Sequence, residues 1–292
     1  MRDRLRTLLL RAGRRAAPMI AGTVLALLLP SLAVAAAARA LVLGVVPYMT
    51  AQQIVTTYGP LAGALERTLG RPVAVYSARD FKTFAERTRQ GYYDILLTAP
   101  HLGWLARQDA GYRPLLKYAA PTHGLLVVAA TSPIDGLAAL RGHSIATADP
   151  LAVVVLAMRS KLASRGLAPA DYHSMDAGTH FNAAMQVIAG RADAAILGMH
   201  PYLSLQPELR AQLRVVTKTP PLSSLIFLAH PRLGDADGEA TRQALSAFAA
   251  SPQGVAFMKR GGYGGFAPVD GSELRAFRPY ALEARQMLRG AR

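Results

Sequence analysis

The chain has no cysteine in 292 residues. Disulfides, thiolate metal centres, cysteine nucleophiles and the lipid-bearing cysteine of a lipoprotein are therefore excluded. Acidic residues are few, 18 against 33 basic, giving a formal charge of +15. The basic residues are scattered, without runs of five and without aromatic interleaving, so they read as a solvated surface rather than a nucleic-acid stripe. A positive field of this kind raises the local concentration of small anions. Signatures of catalysis are also missing. The glycines at 261–265 lack the strand-to-helix setting and the lysine of a phosphate-binding loop. No Gly-x-Ser-x-Gly elbow occurs. Glu66, Glu86 and Asp94 fall on separate elements with no evident pairing. These absences argue against an enzyme.

What is present begins with a basic head, Arg2, Arg4, Arg6, Arg11, Arg14 and Arg15, followed by an uncharged run over residues 16–38. Ala33-Val34-Ala35 and the alanines after it suit a signal peptidase, so residues 1–38 read as a cleavable export signal, with the mature chain starting between Ala36 and Leu41. An uncleaved membrane anchor is the alternative, but Pro18, Pro30 and the alanine tail favour cleavage. Arg14-Arg15 precedes Ala-Ala-Pro, which departs from a twin-arginine pattern. Six arginines and Asp3 carry +5 of the formal charge, leaving +10 beyond residue 38.

From residue 41 on, short apolar runs alternate with amphipathic stretches, the pattern of sheets with helical crossovers. Strands are expected at 41–46, 73–76 and 93–98, alternating with helices at 52–69, 81–90 and 100–108; Ile54, Tyr58, Leu61, Leu65 and Leu69 keep helical spacing in the first. A second set has strands at 125–130, 143–146, 172–175 and 192–197, with helices at 151–165 and 179–189. Strands at 213–217 and 225–229 and a helical tail over 239–289, broken at 261–265, complete the chain. Pro121 with Gly124, and Pro220-Pro221, mark points where the chain crosses between lobes.

Several segments in order resemble the phosphate/phosphite/phosphonate-binding proteins of ABC importers: Gly44-Val45-Val46-Pro47, Tyr58-Gly59-Pro60-Leu61, Tyr93-Asp94-Ile95, Gly111-Tyr112-Arg113-Pro114, Asp149-Pro150, Gly178-Thr179-His180 and Gly190-Arg191-Ala192-Asp193-Ala194. Ser251-Pro252-Gln253-Gly254 and Gly264-Gly265-Phe266 continue the series. The resemblance implies a two-lobed α/β periplasmic binding protein of type II, each lobe a sheet flanked by helices, joined by two crossing strands. One lobe would comprise 41–122 plus 220–292, the other 123–219. It implies a periplasmic, cofactor-free, non-enzymatic monomer that delivers a small anionic ligand to an inner-membrane permease, with no nucleic acid partner. The alternatives are a sensing module of the same fold coupled to a membrane kinase, or a metal-binding variant.

The resemblance also places candidate ligand residues at the cleft. Where the family carries Ser and Thr after its Asp-Pro turn, this chain has Leu151, Ala152, Val153 and Val154. Two hydroxyl donors are thus absent, and Ala152 and Val153 offer the N–H groups and positive end of a helix start. Phe81 replaces a family tyrosine, and with Tyr48 it forms an apolar wall or packs the interlobe surface. Thr98 would supply a hydroxyl, and Thr179 with His180 a helix start with a cationic imidazolium. His200 falls where aminophosphonate binders use a carboxylate, while His101 and His123 fall at the rim. Four converging histidines suit either an oxyanion or a metal, though no local ligand motif or joining carboxylate supports the metal.

Overall fold

The computed structural model describes residues 39–290. The expected export signal lies outside them.

The first sheet is assembled from β1 (Leu41–Val45), β2 (Val73–Tyr76), β3 (Ile95–Thr98), β4 (Arg113–Tyr118), β10 (Ile226–Ala229) and β11 (Phe266–Ala267), in the order β11-β4-β10-β3-β1-β2. The second holds β5 (Gly124–Ala129), β6 (Ser144–Thr147), β7 (His173–Asp176), β8 (Ala194–Gly198) and β9 (Leu213–Lys218), in the order β7-β6-β8-β5-β9. Apart from the short β11, the two orders are equivalent. In each, a strand runs parallel to two neighbours, β1 with β2 and β3, β6 with β7 and β8. In each, the strand that follows a crossing, β5 or β10, runs antiparallel to both its partners. Two mixed sheets of equivalent order, each with helical crossovers, are what the resemblance implies.

Helices cover the sheets: α1 (Ala51–Leu69), α2 (Phe81–Arg89) and α3 (Pro100–Ala110) in the first lobe, α4 (Val153–Ala163), α5 (His180–Ile188), α6 (Met199–Leu203) and α7 (Pro207–Arg210) in the second. The chain then returns for α8 (Gly234–Ala250), α9 (Pro252–Gly261), α10 (Gly271–Ala276) and α11 (Arg278–Gly290). The start of α1 is fixed by a capping box between Thr50 and Gln53, and its end by Gly70 in the left-handed conformation. Its Ile54, Tyr58, Leu61 and Leu65, fully buried, form one stripe against the sheet. β3 is buried on both faces, as central parallel strands are.

Three differences from the sequence reading have physical causes. β4 was not expected, because Arg113, Pro114 and Lys117 interrupt its apolar pattern; it pairs with β10 across a register shift at Phe227/Leu228, opposite Pro114, where the ladder tolerates a missing donor. α8 starts at Gly234, five residues ahead of the expected tail helix, with Asp235 and Asp237 in its first turn complementing the helix dipole. The short α6, α7 and α10 have too few turns to show periodicity.

The crossing segments pair with each other. Thr122 and Leu222 exchange two backbone hydrogen bonds of 2.9 Å, and Thr219 Oγ1 accepts from the Gly124 N–H. A Cβ at Gly124 would lie 2.7 Å from the Val154 carbonyl, so a glycine here lets the crossing strand pass against the start of α4.

Candidate functional site

In open α/β sheets ligands bind beyond the carboxyl ends of the strands. Here β2, β3, β6, β7 and β8 lead into α2, α3, α4, α5 and α6, and all five helix starts border one cavity of about 50 Å³ between the lobes. From the first lobe Val46, Tyr48, Phe81, Ala99 and Pro100 line it, with Ser223, Ser224 and Leu225 ahead of β10. From the second come Ala152, Val153, Val154, His180, Gly198, His200 and Pro201.

The helix starts differ in what they leave free. Asp80 caps α2 by accepting from the Thr83 N–H (2.6 Å), and Thr179 caps α5 by accepting from Asn182 (3.1 Å). At α3 and α4 the cap positions are Ala99 and Ala152, with no side-chain cap. The Val153 and Val154 N–H groups of α4 and, because α3 opens on Pro100, the His101 and Leu102 N–H groups of α3 have no intrahelical partner and point along the positive end of each dipole.

Tyr48 presents its ring to the cavity, while its hydroxyl is engaged with Tyr58 (2.7 Å) and Tyr263 (3.1 Å). Tyr118 extends this network by donating to Tyr58 at 3.3 Å, and its ring stacks on Tyr263 with centroids 4.0 Å apart. Burial raises the phenol pKa values of all four well away from neutrality or above their usual value, so the cluster is uncharged.

His200 reaches from the second lobe into the first. Its Nδ1–H donates to the Gly261 carbonyl (2.9 Å), and its Nε2 accepts from Ser224 Oγ (2.9 Å). Both ring nitrogens are satisfied by the neutral form, and burial lowers the pKa. His101 makes the reverse crossing. Its Nε2–H donates to the Leu151 carbonyl (2.8 Å), its Nδ1 is buried without a partner, and burial pushes its pKa down to about 4.

The expectations for individual residues now separate. Tyr48, Phe81, Ala152, Val153, His180 and His200 are brought to the cavity. Thr98 is not: strand alternation turns Leu96 and Thr98 to the other side, into a crevice between α2, α3 and α11, and Ala99 faces the cleft instead. His101 lies off the cavity and joins the lobes, and His123 is held on the crossing by a bond to the Thr219 carbonyl (2.8 Å). The Thr179 hydroxyl is engaged in capping its own helix. The imidazolium expected at His180 is also corrected. The residue is 4% exposed, its Nδ1 accepts from the Gly198 N–H (3.3 Å), and burial lowers its pKa to about 4. It is neutral at physiological pH. Among the described residues no group of three or more His, Asp or Glu is arranged to hold a metal ion.

Two features escaped the sequence reading. The Ser223 hydroxyl oxygen is buried without a partner on the cavity wall, next to the Ser224 that binds His200. The Pro220-Pro221 crossing points to this stretch, but a lone Ser-Ser pair carries no motif. Asp149, noted only as part of a turn, is buried and bridges the lobes, accepting from Leu151 N–H (2.8 Å) and, across the cleft, from Phe81 N–H (3.4 Å). Burial, reinforced by the charges of Asp176 and Asp80, raises its pKa to about 6.

Among the described residues no lysine or arginine lines the cavity. The helix ends offer an anion about 0.3–2 kcal/mol each and each neutral hydrogen bond about 0.5–1.5 kcal/mol. Removing a charge from water costs several kcal/mol per ion. Helix starts and hydroxyls, rather than side-chain cations, are what these residues offer to a ligand's oxygens.

Residues 43–274 match the family described as ABC transporter, phosphonate, periplasmic substrate-binding protein. No curated protein matches the chain in sequence. Among solved structures, the binding component of an ABC phosphonate transporter from Pseudomonas aeruginosa aligns with TM-score 0.76 at 19% identity, over 84% of this chain and 86% of that one. PhnD1 of Prochlorococcus marinus, in complex with methylphosphonate, aligns with TM-score 0.75 at 14% identity, over 84% and 98%. XAC2383 of Xanthomonas citri, bound to ATP, aligns with TM-score 0.67 at 21% identity, over 85% and 98%. At these identities the structural likeness speaks for the fold.

Proposed function

The chain belongs to the periplasmic substrate-binding proteins of ABC phosphonate transporters, and from that premise we propose that it captures a compact solute with a tetrahedral oxygen-bearing centre, of the phosphonate, phosphite or phosphate kind. The closed form is then handed, as a monomer, to a permease in the inner membrane, and the solute is carried rather than chemically changed. The observation that carries this reading is the convergence of five helix starts, from both lobes, on one interlobe cavity. A ligand touching α3 and α4 at once holds the lobes together. The paired crossings at Thr122 and Leu222 are the natural hinge for that closure.

The experiment is a thermal-shift screen of the mature protein with phosphite, phosphate, small alkylphosphonates and alkylsulfonates. A true ligand present at about a hundred times its Kd stabilises the fold by about 2.7 kcal/mol. Nuclear magnetic resonance of the released ligand should find it unaltered. A screen in which no compound raises the melting temperature at millimolar concentration would refute the capture reading, and a chemically altered ligand would refute the carrier role.

A further inference from the structure

We propose that the ligand carries a short, uncharged organic substituent on its tetrahedral head, and that a second chamber between the lobes, adjoining the head cavity, selects it. Short alkyl- and arylphosphonates meet this description, and aminoalkylphosphonates do not. The inference rests on the reading that the cleft captures a tetrahedral oxyanion, and adds what that centre bears.

The head cavity, about 50 Å³, has room for a tetrahedral centre and little more, whereas small-molecule pockets commonly enclose about 300–1,000 Å³. Its donors include the Val153 and Val154 N–H groups at the start of α4 and the Ser223 hydroxyl, which is buried without a partner. Beside it lies a larger cavity of about 370 Å³. The two share Tyr48 from the first lobe and Pro201 from the second, and the chain passes directly from one lining to the other at Tyr48-Met49 and at His180-Phe181. A substituent that leaves the seated head between Tyr48 and Pro201 therefore enters the second chamber. The apolar wall there is made by Met49 from the first lobe and by Phe181, Leu205 and Leu209 from the second. Of the polar side chains on the wall, Gln53 is engaged in capping α1 and the Ser204 hydroxyl donates to the His200 carbonyl (3.0 Å), which leaves the Gln206 amide to a ligand. Among the described residues no charged side chain lines the chamber. An ammonium group entering it gives up water without meeting a carboxylate, which is costly. An apolar chain instead gains about four-fold in affinity for each methylene it buries. Because both lobes contribute to the wall, a substituent seated there also helps to hold them together.

The test is calorimetric titration of the mature protein near neutral pH with methylphosphonate, butylphosphonate and 3-aminopropylphosphonate. The last two are equal in length and differ by a terminal methyl against an ammonium. Butylphosphonate should bind about ten-fold tighter than methylphosphonate or better, since it adds three methylenes. The ammonium analogue should fall below butylphosphonate by about ten-fold or more. Gln206→Glu, an isosteric change at an exposed position, places a carboxylate on the chamber wall and should raise the affinity for 3-aminopropylphosphonate relative to butylphosphonate several-fold. Leu209→Ala, at a half-buried position, should shrink the advantage of butyl over methyl, with the melting temperature reporting that the fold is kept. Butylphosphonate no tighter than methylphosphonate, or 3-aminopropylphosphonate as tight as butylphosphonate, overturns the substituent chamber and leaves the capture reading standing. Binding of phosphite or phosphate but of none of the three organic compounds overturns the chamber in the same way. If no oxyanion binds, the capture reading fails and this inference with it.

Discussion

The two lobes share a strand order and deliver their helices to the same cleft, yet the faces they present differ. The first lobe backs its face with a connected set of hydroxyls, Tyr48, Tyr58, Tyr118 and Tyr263, and places Ser223 and Ser224 on the cavity wall. The second offers Ala152, Val153, Val154 and a neutral His180. Equivalent topology places helix starts on both sides, because a helix follows each of these parallel strands, although α3 opens on Pro100 and lacks the first N–H that α4 has. The side chains at those starts decide whether the face is polar. Each lobe also sends one histidine, His101 or His200, to hydrogen-bond a carbonyl of the other. The contact between lobes is therefore reciprocal where the cavity is not.

The largest effect that separates the lobes should come from acid. His101 in the first lobe and His180 in the second have folded pKa values of about 4, below the usual 6.5. Each contributes stability that is complete above about pH 6.5 and lost as pH falls towards 4, roughly 3 kcal/mol apiece. Asp149 works in the opposite sense. Its pKa of about 6 lies above its usual value, so the protein regains roughly 2 kcal/mol as this carboxyl protonates between about pH 6 and 4. From these three groups together a loss of roughly 3–4 kcal/mol is expected between pH 7 and pH 4, with His200 and His230, also lowered by burial, adding in the same direction. Urea unfolding across that range measures it. His180→Gln should remove about half of the histidine contribution and flatten the profile. An unchanged profile in the variant would show that the second-lobe histidine is not held neutral by burial.

A smaller loss is expected in the first-lobe network. Tyr58→Phe deletes the hydroxyl that joins Tyr48 to Tyr118, leaving Tyr48 with Tyr263 alone and the buried Tyr118 hydroxyl without its acceptor, about 1–3 kcal/mol by chemical denaturation. The contrast between the lobes weakens if this change is neutral, since the hydroxyls would then contribute no more than the valines opposite. The smallest effect belongs to Ser224→Ala. It removes the donor to His200 Nε2 while leaving the bond to Gly261, and should cost about 1 kcal/mol. Solution scattering of this variant should show a larger radius of gyration if the His200 contact helps hold the lobes closed, and an unchanged radius would assign closure to His101 and Asp149 instead.

The sequence by itself determined most of the elements and their order, though not β4 or the short α6, α7 and α10. The alternation of strands and helices, the stripe of Ile54, Tyr58, Leu61 and Leu65, the lack of cysteine and the absence of hydroxyls at 151–154 are all encoded within a few residues, where the periods of 2 and 3.6 and the turn chemistry act. Tertiary structure decided the rest, because the cleft is assembled from residues far apart in the chain. Tyr48 meets Tyr263 across 215 positions, His200 meets Gly261 across 61, and Asp149 meets Phe81 across 68. No local signal tells that Thr98 faces a crevice and Ala99 the cleft, since that depends on which side of β3 the second lobe approaches. Nor does position along the chain report charge. A histidine at a helix start reads as a cation for an anion, and only the depth at which the two lobes bury His180 makes it neutral, because desolvation penalises the protonated ring and no carboxylate pairs with it.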